Sequence, residues 1–376
     1  MPCPTIDFNL PANFYARYWQ REPLLIRQAV ADFRSPISGD DLAGLACIDE
    51  VESRIVLHNE HDGTWQVRHG PFAEAEFAEL PDKHWTLLVQ AVDHWDADVM
   101  ALRRAFPAIA NWRLDDVMVS YAAEGGGVGP HVDNYDVFLV QGMGTRRWRL
   151  GGVVGLDAPL QSNTALRLLS DFNTVEDHLL EPGDALYVPA QCAHWGVAQD
   201  ECITYSIGFR APSVSDIIAE SAAAISATLN EQQRYSDGRV RVGNGIHPGE
   251  ITAEAVADLH ELIGQNVTAD SIGRWFGSFA TERKYPTETP DFDEHLMLRR
   301  LEDGAICIPR RDSRFAFVRR NNGLDFYADG ARFECAAAAE GFIERLCEGQ
   351  QITPTDISAQ QSIVVELLRQ GSVELA

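Results

Sequence analysis

The chain has 376 residues, 45% hydrophobic and 23% charged, an ordinary globular composition that excludes disordered and fibrous architectures and leaves room for a large catalytic domain plus smaller units. Its 56 acidic residues against 31 basic ones give a formal charge of -25, a field that repels a phosphate backbone and argues against direct nucleic-acid binding while attracting a basic protein partner. Seven scattered cysteines (Cys3, Cys47, Cys192, Cys202, Cys307, Cys335 and Cys347) form no Cys-x-x-Cys pair and read as reduced, packed thiols. With no basic-then-apolar leader and no run of about 18 apolar residues, the expectation is a cytoplasmic protein without membrane association.

In chain order, residues 13–22 read as a short helix with Phe14, Tyr18 and Trp19 along one side, stopped before Pro23, then a buried strand at 24–26. A helix near 39–45 precedes strands at 53–57 and 64–68, joined as a hairpin through His61-Asp62-Gly63. Residues 85–95 and 98–106 have helical spacing, and 112–123 alternates as a strand. Short β-rich runs at 137–141, 147–150, 178–180, 185–188 and 203–209, parted by Gly, Pro or Asp turns, suit a closed antiparallel barrel or jelly roll. Ser213-Val214-Ser215-Asp216 then opens an alanine-rich helix whose apolar face carries Ile217, Ile218, Ala222, Ile225 and Leu229 and packs on another helix or subunit. A polar loop at 231–249, helices at 253–264 and 269–281, and a linker at 284–290 follow. The last segment reads as a small α+β unit: a helix-like start, strands at 315–319 and 325–327 joined by Asn321-Asn322-Gly323-Leu324, and two closing helices. Its seven arginines between Arg299 and Arg320 are read as a solvated face in preference to an RNA contact.

The chemistry concentrates at a glycine-rich turn that delivers His131-Val132-Asp133. On a strand start, a spacing of two puts the imidazole and the carboxylate on one face. A second imidazole completes the two-histidine, one-carboxylate set that binds iron(II) and leaves coordination positions open. His194 is the partner, reached through Glu181-Pro182-Gly183-Asp184, a strand and a short loop. His58, His61, His69, His84, His94, His178, His247, His260 and His295 have no such carboxylate and are assigned no metal. Iron held this way needs an electron-supplying co-substrate. 2-Oxoglutarate qualifies, its far carboxylate meeting an arginine: Arg146, with Ser120 adding a hydroxyl, or Arg147 or Arg149.

At these residues the chain resembles the bacterial ribosomal oxygenases, JmjC-type cupin proteins that hydroxylate an arginine of a large-subunit ribosomal protein. The resemblance runs over roughly 14–212. It includes Tyr18-Trp19, Pro23-Leu24-Leu25-Ile26-Arg27, Trp65-Gln66-Val67, the 125–136 stretch, Gln141-Gly142, Arg146-Arg147-Trp148-Arg149, Glu181-Pro182-Gly183-Asp184 and Tyr205-Ser206-Ile207-Gly208-Phe209-Arg210. It implies an α+β protein whose catalytic domain, 1–212, is a double-stranded β-helix, followed by a helical dimerisation segment at 213–283 and a winged-helix-like domain at 284–376. It further implies Fe(II) at His131, Asp133 and His194, 2-oxoglutarate at Arg146 and Ser120, O2 as the other co-substrate, a homodimer, and a basic ribosomal protein as substrate. Asp116, Glu124, Asp136 and Tyr135 are the candidates to receive a substrate arginine. The rival readings are a relative that hydroxylates another residue, such as histidine, a metal-binding cupin without catalysis, and an RNA-binding adaptor.

Overall fold

Strands between residues 114 and 209 pair antiparallel throughout, and alternate side chains from two facing sheets fill a shared interior. The computed structural model describes residues 6–106, 109–155, 157–162, 164–236, 246–287 and 291–376, in two units, 1–211 and 212–376.

In the first unit α1 (Phe14–Arg17), β1 (Leu24–Ile26), α2 (Gly39–Leu45), β2 (Ser53–Asn59), β3 (Thr64–His69), α3 (Glu74–Ala78), β4 (Trp85–Val89) and α4 (Ala97–Arg103) precede the remaining strands. These are β5 (Leu114–Ala122), β6 (Val137–Met143), β7 (Arg146–Val153), β8 (Glu176–Leu180), β9 (Ala185–Val188), β10 (Cys192–Ala198) and β11 (Cys202–Phe209). Eight strands form one sheet in the order β1-β9-β6-β11-β5-β4-β2-β3, and β10-β7-β8 form the second. Val137, Leu139, Trp148, Leu150, Leu180, Leu186, Val188 and Cys192 pack between the sheets. The other face of the large sheet, with Val117, Val119, Phe138, Tyr187, Tyr205 and Phe209, is covered by Phe8, Phe14, Leu102 and Phe106. This is the double-stranded β-helix of the JmjC/cupin type.

Local chemistry explains most boundaries. Ser38 caps α2: its hydroxyl accepts the Asp41 N–H while the Asp41 carboxylate accepts the Ser38 N–H, each at 3.1 Å. Asp96 caps α4 by accepting the Asp98 and Val99 N–H groups, both at 2.9 Å. Three expectations need correction. Residues 85–89 are strand β4 followed by a 3₁₀ turn at Val92–His94, because Thr86 to Val89 are buried on both faces between β2 and β5, which removes the polar alternation that marks a half-exposed strand. The first helix is a single turn. His194 lies within strand β10, not on a loop; Gly196 and a register shift at Ala193/His194 interrupt the pattern that would have announced that strand.

The second unit comprises α5 (Val214–Ser226), α6 (Ala253–Asn266), α7 (Ala269–Thr281), α8 (Glu294–Glu302), β12 (Cys307–Pro309), β13 (Phe315–Arg320), β14 (Gly323–Ala328), β15 (Ala331–Cys335), α9 (Glu340–Cys347), α10 (Pro354–Ala359), α11 (Gln361–Arg369) and β16 (Val373–Leu375). Strands β13-β14-β15 form one sheet and β12-β16 another, over a core of Leu301, Phe326, Ile343, Leu346, Val364 and Leu367. Strands β12, β15 and β16 and a third closing helix were not anticipated; β12 and β16 have only three residues each, too few to show a period. The 231–249 loop and the linker fall partly outside the described residues, at 237–245 and 288–290. Arg283, just before the expected linker, donates to Asp329 at 2.7 Å and to the Gly371 carbonyl at 2.6 Å. Several of the clustered arginines are paired: Arg319 with Glu340 at 2.6 Å and Glu344 at 2.9 Å, Arg320 with Asp270 at 2.9 Å, and Arg310 with Asp312 at 3.0 Å. Among the described residues no helix is long and apolar enough to cross a membrane.

Phe138 is fully buried, with ring centroids 4.7 Å from Phe106, 5.4 Å from Phe14 and 5.0 Å from Tyr187. Phe138→Ala is expected to destabilise the catalytic unit by about 3 to 5 kcal/mol through lost burial and a cavity, read as a lower urea midpoint of the barrel transition.

Candidate metal and co-substrate site

Two backbone hydrogen bonds build the metal site. The His131 N–H donates to the His194 carbonyl and the His194 N–H donates to the His131 carbonyl, both at 3.0 Å, an isolated antiparallel bridge that holds the two imidazoles side by side with centroids 4.2 Å apart. Asp133, two residues on, reaches the same point: its Oδ2 lies 4.0 Å from His131 Nε2 and 3.6 Å from His194 Nε2. One ligand atom from each of the three lies within 4.8 Å of the others, the one such group among the described residues. His131 Nδ1 is 3.0 Å from the Gly129 carbonyl and His194 Nδ1 is 3.0 Å from the Cys192 carbonyl. A carbonyl only accepts, so each Nδ1 carries the proton and each Nε2 presents its lone pair to the shared point. Burial, reinforced by the neighbouring His131, pushes the His194 pKa down from 6.5 to about 4, keeping it in the neutral form that a metal needs.

The co-substrate candidates meet inside the barrel. On β7 the alternation turns Arg146 and Trp148 inward, while Arg147 and Arg149 are partly exposed, Arg147 pairing with Asp177 at 3.1 Å and Arg149 stacking 5.1 Å from the Trp195 ring centroid. Arg146 is buried at 3% exposure, lies 5.0 Å from the Trp148 ring centroid, and points Nη1 at Ser120 Oγ at 3.4 Å. Burial pushes its pKa down. Ser120 is in register with Thr204, and Thr204 with Gln141, so these polar side chains share one row of the inner sheet face. Thr204 donates to Gln141 at 3.1 Å. The Nε of Arg146, the Nε1 of Trp148 and the hydroxyl of Thr86 are buried without a hydrogen-bond partner. Uncommitted donors beside a buried cation fit a carboxylate ligand. Space for one depends on Gly196, where a Cβ would come within 2.7 Å of Trp148 and 2.8 Å of Arg146 Nε. Trp148, Thr86, Thr204, Gln141 and Gly196 were not anticipated; only strand alternation from Arg146 and Ser120 could have pointed to them.

The four candidates for a substrate cation separate. Asp136 is buried and committed, accepting from Tyr187 at 2.6 Å, Arg113 at 3.1 Å and Gln20 at 3.3 Å. Glu124 pairs with Lys83 at 2.7 Å on the surface. Asp116 accepts through Oδ2 from Gln90 at 2.7 Å and the Ala91 N–H at 3.0 Å, while its Oδ1 faces Gly208, whose Cβ position is 3.9 Å from it and 3.8 Å from the Tyr135 ring. Tyr135, two residues beyond Asp133, is exposed. Asp116 and Tyr135 therefore lie close together beside Gly208, one buried and one exposed.

A two-histidine, one-carboxylate cluster inside a double-stranded β-helix is the arrangement of non-haem iron(II) oxygenases of the JmjC/cupin type. A JmjC domain model matches residues 101–217 and a ROXA-like winged-helix model matches 255–373. The chain is 35% identical over 334 residues to the ribosomal protein uL16 3-hydroxylase of Escherichia coli (strain K12), covering 88% of this chain and 86% of that one. It is 40% identical over 367 residues to a probable ribosomal oxygenase of Haemophilus influenzae, covering 93% and 89%. Crystal structures of the Escherichia coli ribosomal oxygenase YcfD superpose with 31% identity, one with a TM-score of 0.84 over 99% of this chain and 100% of that one, and one in complex with cobalt and 2-oxoglutarate with a TM-score of 0.83 over 98% and 99%. The chain belongs to the ribosomal oxygenase family of JmjC proteins.

The depressed His194 pKa carries a stability consequence. An unfolded chain takes up this proton near pH 6.5 and the folded one only near pH 4, so the contribution is present above 6.5 and lost as the pH falls towards 4. Urea titrations of the metal-free protein from pH 7 to 4 are expected to show this decline, and His194→Ala to flatten it whatever the variant's baseline stability.

Proposed function

We propose that this protein is an iron(II)- and 2-oxoglutarate-dependent oxygenase that hydroxylates an arginine side chain of a large-subunit ribosomal protein. The observation that carries the reading is similarity along most of both chains to a relative named for 3-hydroxylation of ribosomal protein uL16, joined to a donor set that suits iron(II). His131, Asp133 and His194 hold the metal, the imidazoles through Nε2. Arg146 and Ser120 bind the far carboxylate of 2-oxoglutarate, the guanidinium supplying its fork of donors. Iron(II) bound there supplies, with 2-oxoglutarate and O2, the oxidising power to insert one oxygen atom into a C–H bond, with succinate and carbon dioxide as co-products.

The remaining work is positioning, and no protein acid or base is required. Asp116 and Tyr135 offer a carboxylate and a π-face to a guanidinium, which supports arginine as the target. The formal charge of -25 favours encounter with a basic ribosomal protein. Residues 213–283 serve as a dimerisation segment between the catalytic domain, 1–212, and the winged-helix-like domain, 284–376. The support for a homodimer is the exposed apolar side chains of α5 and α6, among them Val214, Ile218, Val256 and Ile263.

Two measurements test the reading. Mass spectrometry of the ribosomal protein incubated with the enzyme, iron(II), ascorbate and 2-oxoglutarate is expected to show a gain of one oxygen atom on an arginine, absent with Asp133→Ala. A gain on histidine would keep the oxygenase and replace its target; no gain alongside 2-oxoglutarate consumption would discard the ribosomal substrate. Gly196→Ala, which crowds Arg146 and Trp148, is expected to raise the KM for 2-oxoglutarate about tenfold or more, as loss of one charge-assisted hydrogen bond would.

A further inference from the structure

The large sheet extends beyond the barrel through β4, β2 and β3, and its inner face continues with it. Ser120 on β5 is in register with Leu88 on β4, and Leu88 with Arg54 on β2. Arg54 therefore lies on the same sheet face as Ser120, two strands away, a separation of about 10 Å between backbones. Gln90, two residues beyond Leu88 and on the same face, donates to Asp116. The face that begins at the co-substrate pocket thus runs past Asp116 and Tyr135 to Arg54.

Arg54 is unusual among the arginines there. It is only partly exposed, and its Nε is buried without a hydrogen-bond partner. Among the described residues its side chain makes no hydrogen bond and no ion pair, whereas Arg27, Arg68, Arg103 and Arg113 of the same unit are each paired with a carboxylate. A guanidinium whose Nε is buried without a partner is suited to an acceptor from outside the chain. A basic substrate is poor in carboxylates, yet every extended segment presents main-chain carbonyls, and a guanidinium N–H is suited to them.

We infer that Arg54 is a substrate-recognition residue whose guanidinium donates to a main-chain carbonyl of the peptide segment carrying the target side chain. It rests on the oxygenase reading above and deepens it: the carboxylate of Asp116 takes the side chain, and the cation on β2 fixes the backbone from which it projects. Without that second point a flexible side chain is free to slide beside Asp116.

The test compares wild type, Arg54→Ala, Arg54→Gln and Arg54→Lys in the hydroxylation assay with the ribosomal protein. Arg54→Ala is expected to raise the KM for the protein substrate roughly ten- to hundred-fold, with the KM for 2-oxoglutarate and the thermal unfolding midpoint held at wild-type values. Arg54→Gln and Arg54→Lys, which retain N–H donors, fall between. An unchanged substrate KM in Arg54→Ala overturns the inference. So does a parallel rise in both KM values with a lowered midpoint, which would mark a packing role. A wild-type enzyme that leaves the ribosomal protein unmodified overturns the ribosomal-substrate reading on which the inference rests, and that result is distinct from both.

Discussion

The pair of backbone hydrogen bonds between His131 and His194 is the constraint on which the rest of the site depends. Those bonds join the turn entering β6 to strand β10, two segments that otherwise belong to different sheets. With the backbones locked, the main-chain carbonyls of Gly129 and Cys192 accept from the ring Nδ1 atoms and select one tautomer for each ring. Asp133, two residues on in the turn that enters β6 and not on the strand start expected from the sequence, then reaches the same point. Ligand placement is thus set mostly by main-chain pairing, which is stiffer than side-chain packing and less sensitive to substitutions around it.

A second layer of order surrounds that point. Asp136, three residues beyond Asp133, is tied to Tyr187, Arg113 and Gln20, and its carbonyl accepts the Phe209 N–H at 3.0 Å. The ligand-bearing segment is therefore gripped at both ends, by β10 before Asp133 and by this network after it. Charge is graded across the same space: a buried cation at Arg146, carboxylates at Asp133 and Asp116, and a second cation at Arg54. A dicarboxylate and a cationic side chain would be drawn to opposite ends of it.

Much of this was legible in the residues. The His131-x-Asp133 pair with His194, the short strands and the capping at Ser213 followed from side-chain chemistry and spacing. The choice of Arg146 over Arg147 and Arg149 rested on resemblance, because one strand residue either way reverses the face and the strand's inward side is not encoded in the arginines themselves. Strand β4 was misread because full burial erases alternation, and β10 was missed because Gly196 stands where a β-former is expected. Gly196 is small for the sake of Arg146 and Trp148, a requirement visible only after folding. Asp136 looked like a substrate ligand by charge and position; only the structure shows its carboxylate already occupied.

The pairing of β1 with β9 joins residues 24–26 to 185–187. During synthesis the first strand of the protein leaves the ribosome with no neighbour to pair with, and it waits for some 160 more residues before its partner appears. His131 waits for His194 in the same way. The sheet therefore cannot grow outward from its N-terminal edge, and the metal ligands come together only when nearly the whole catalytic unit has been made. Folding of this unit is governed by late, long-range closure, and the interval before it is when the apolar run of Leu24, Leu25 and Ile26 stands open to misplaced strand pairing.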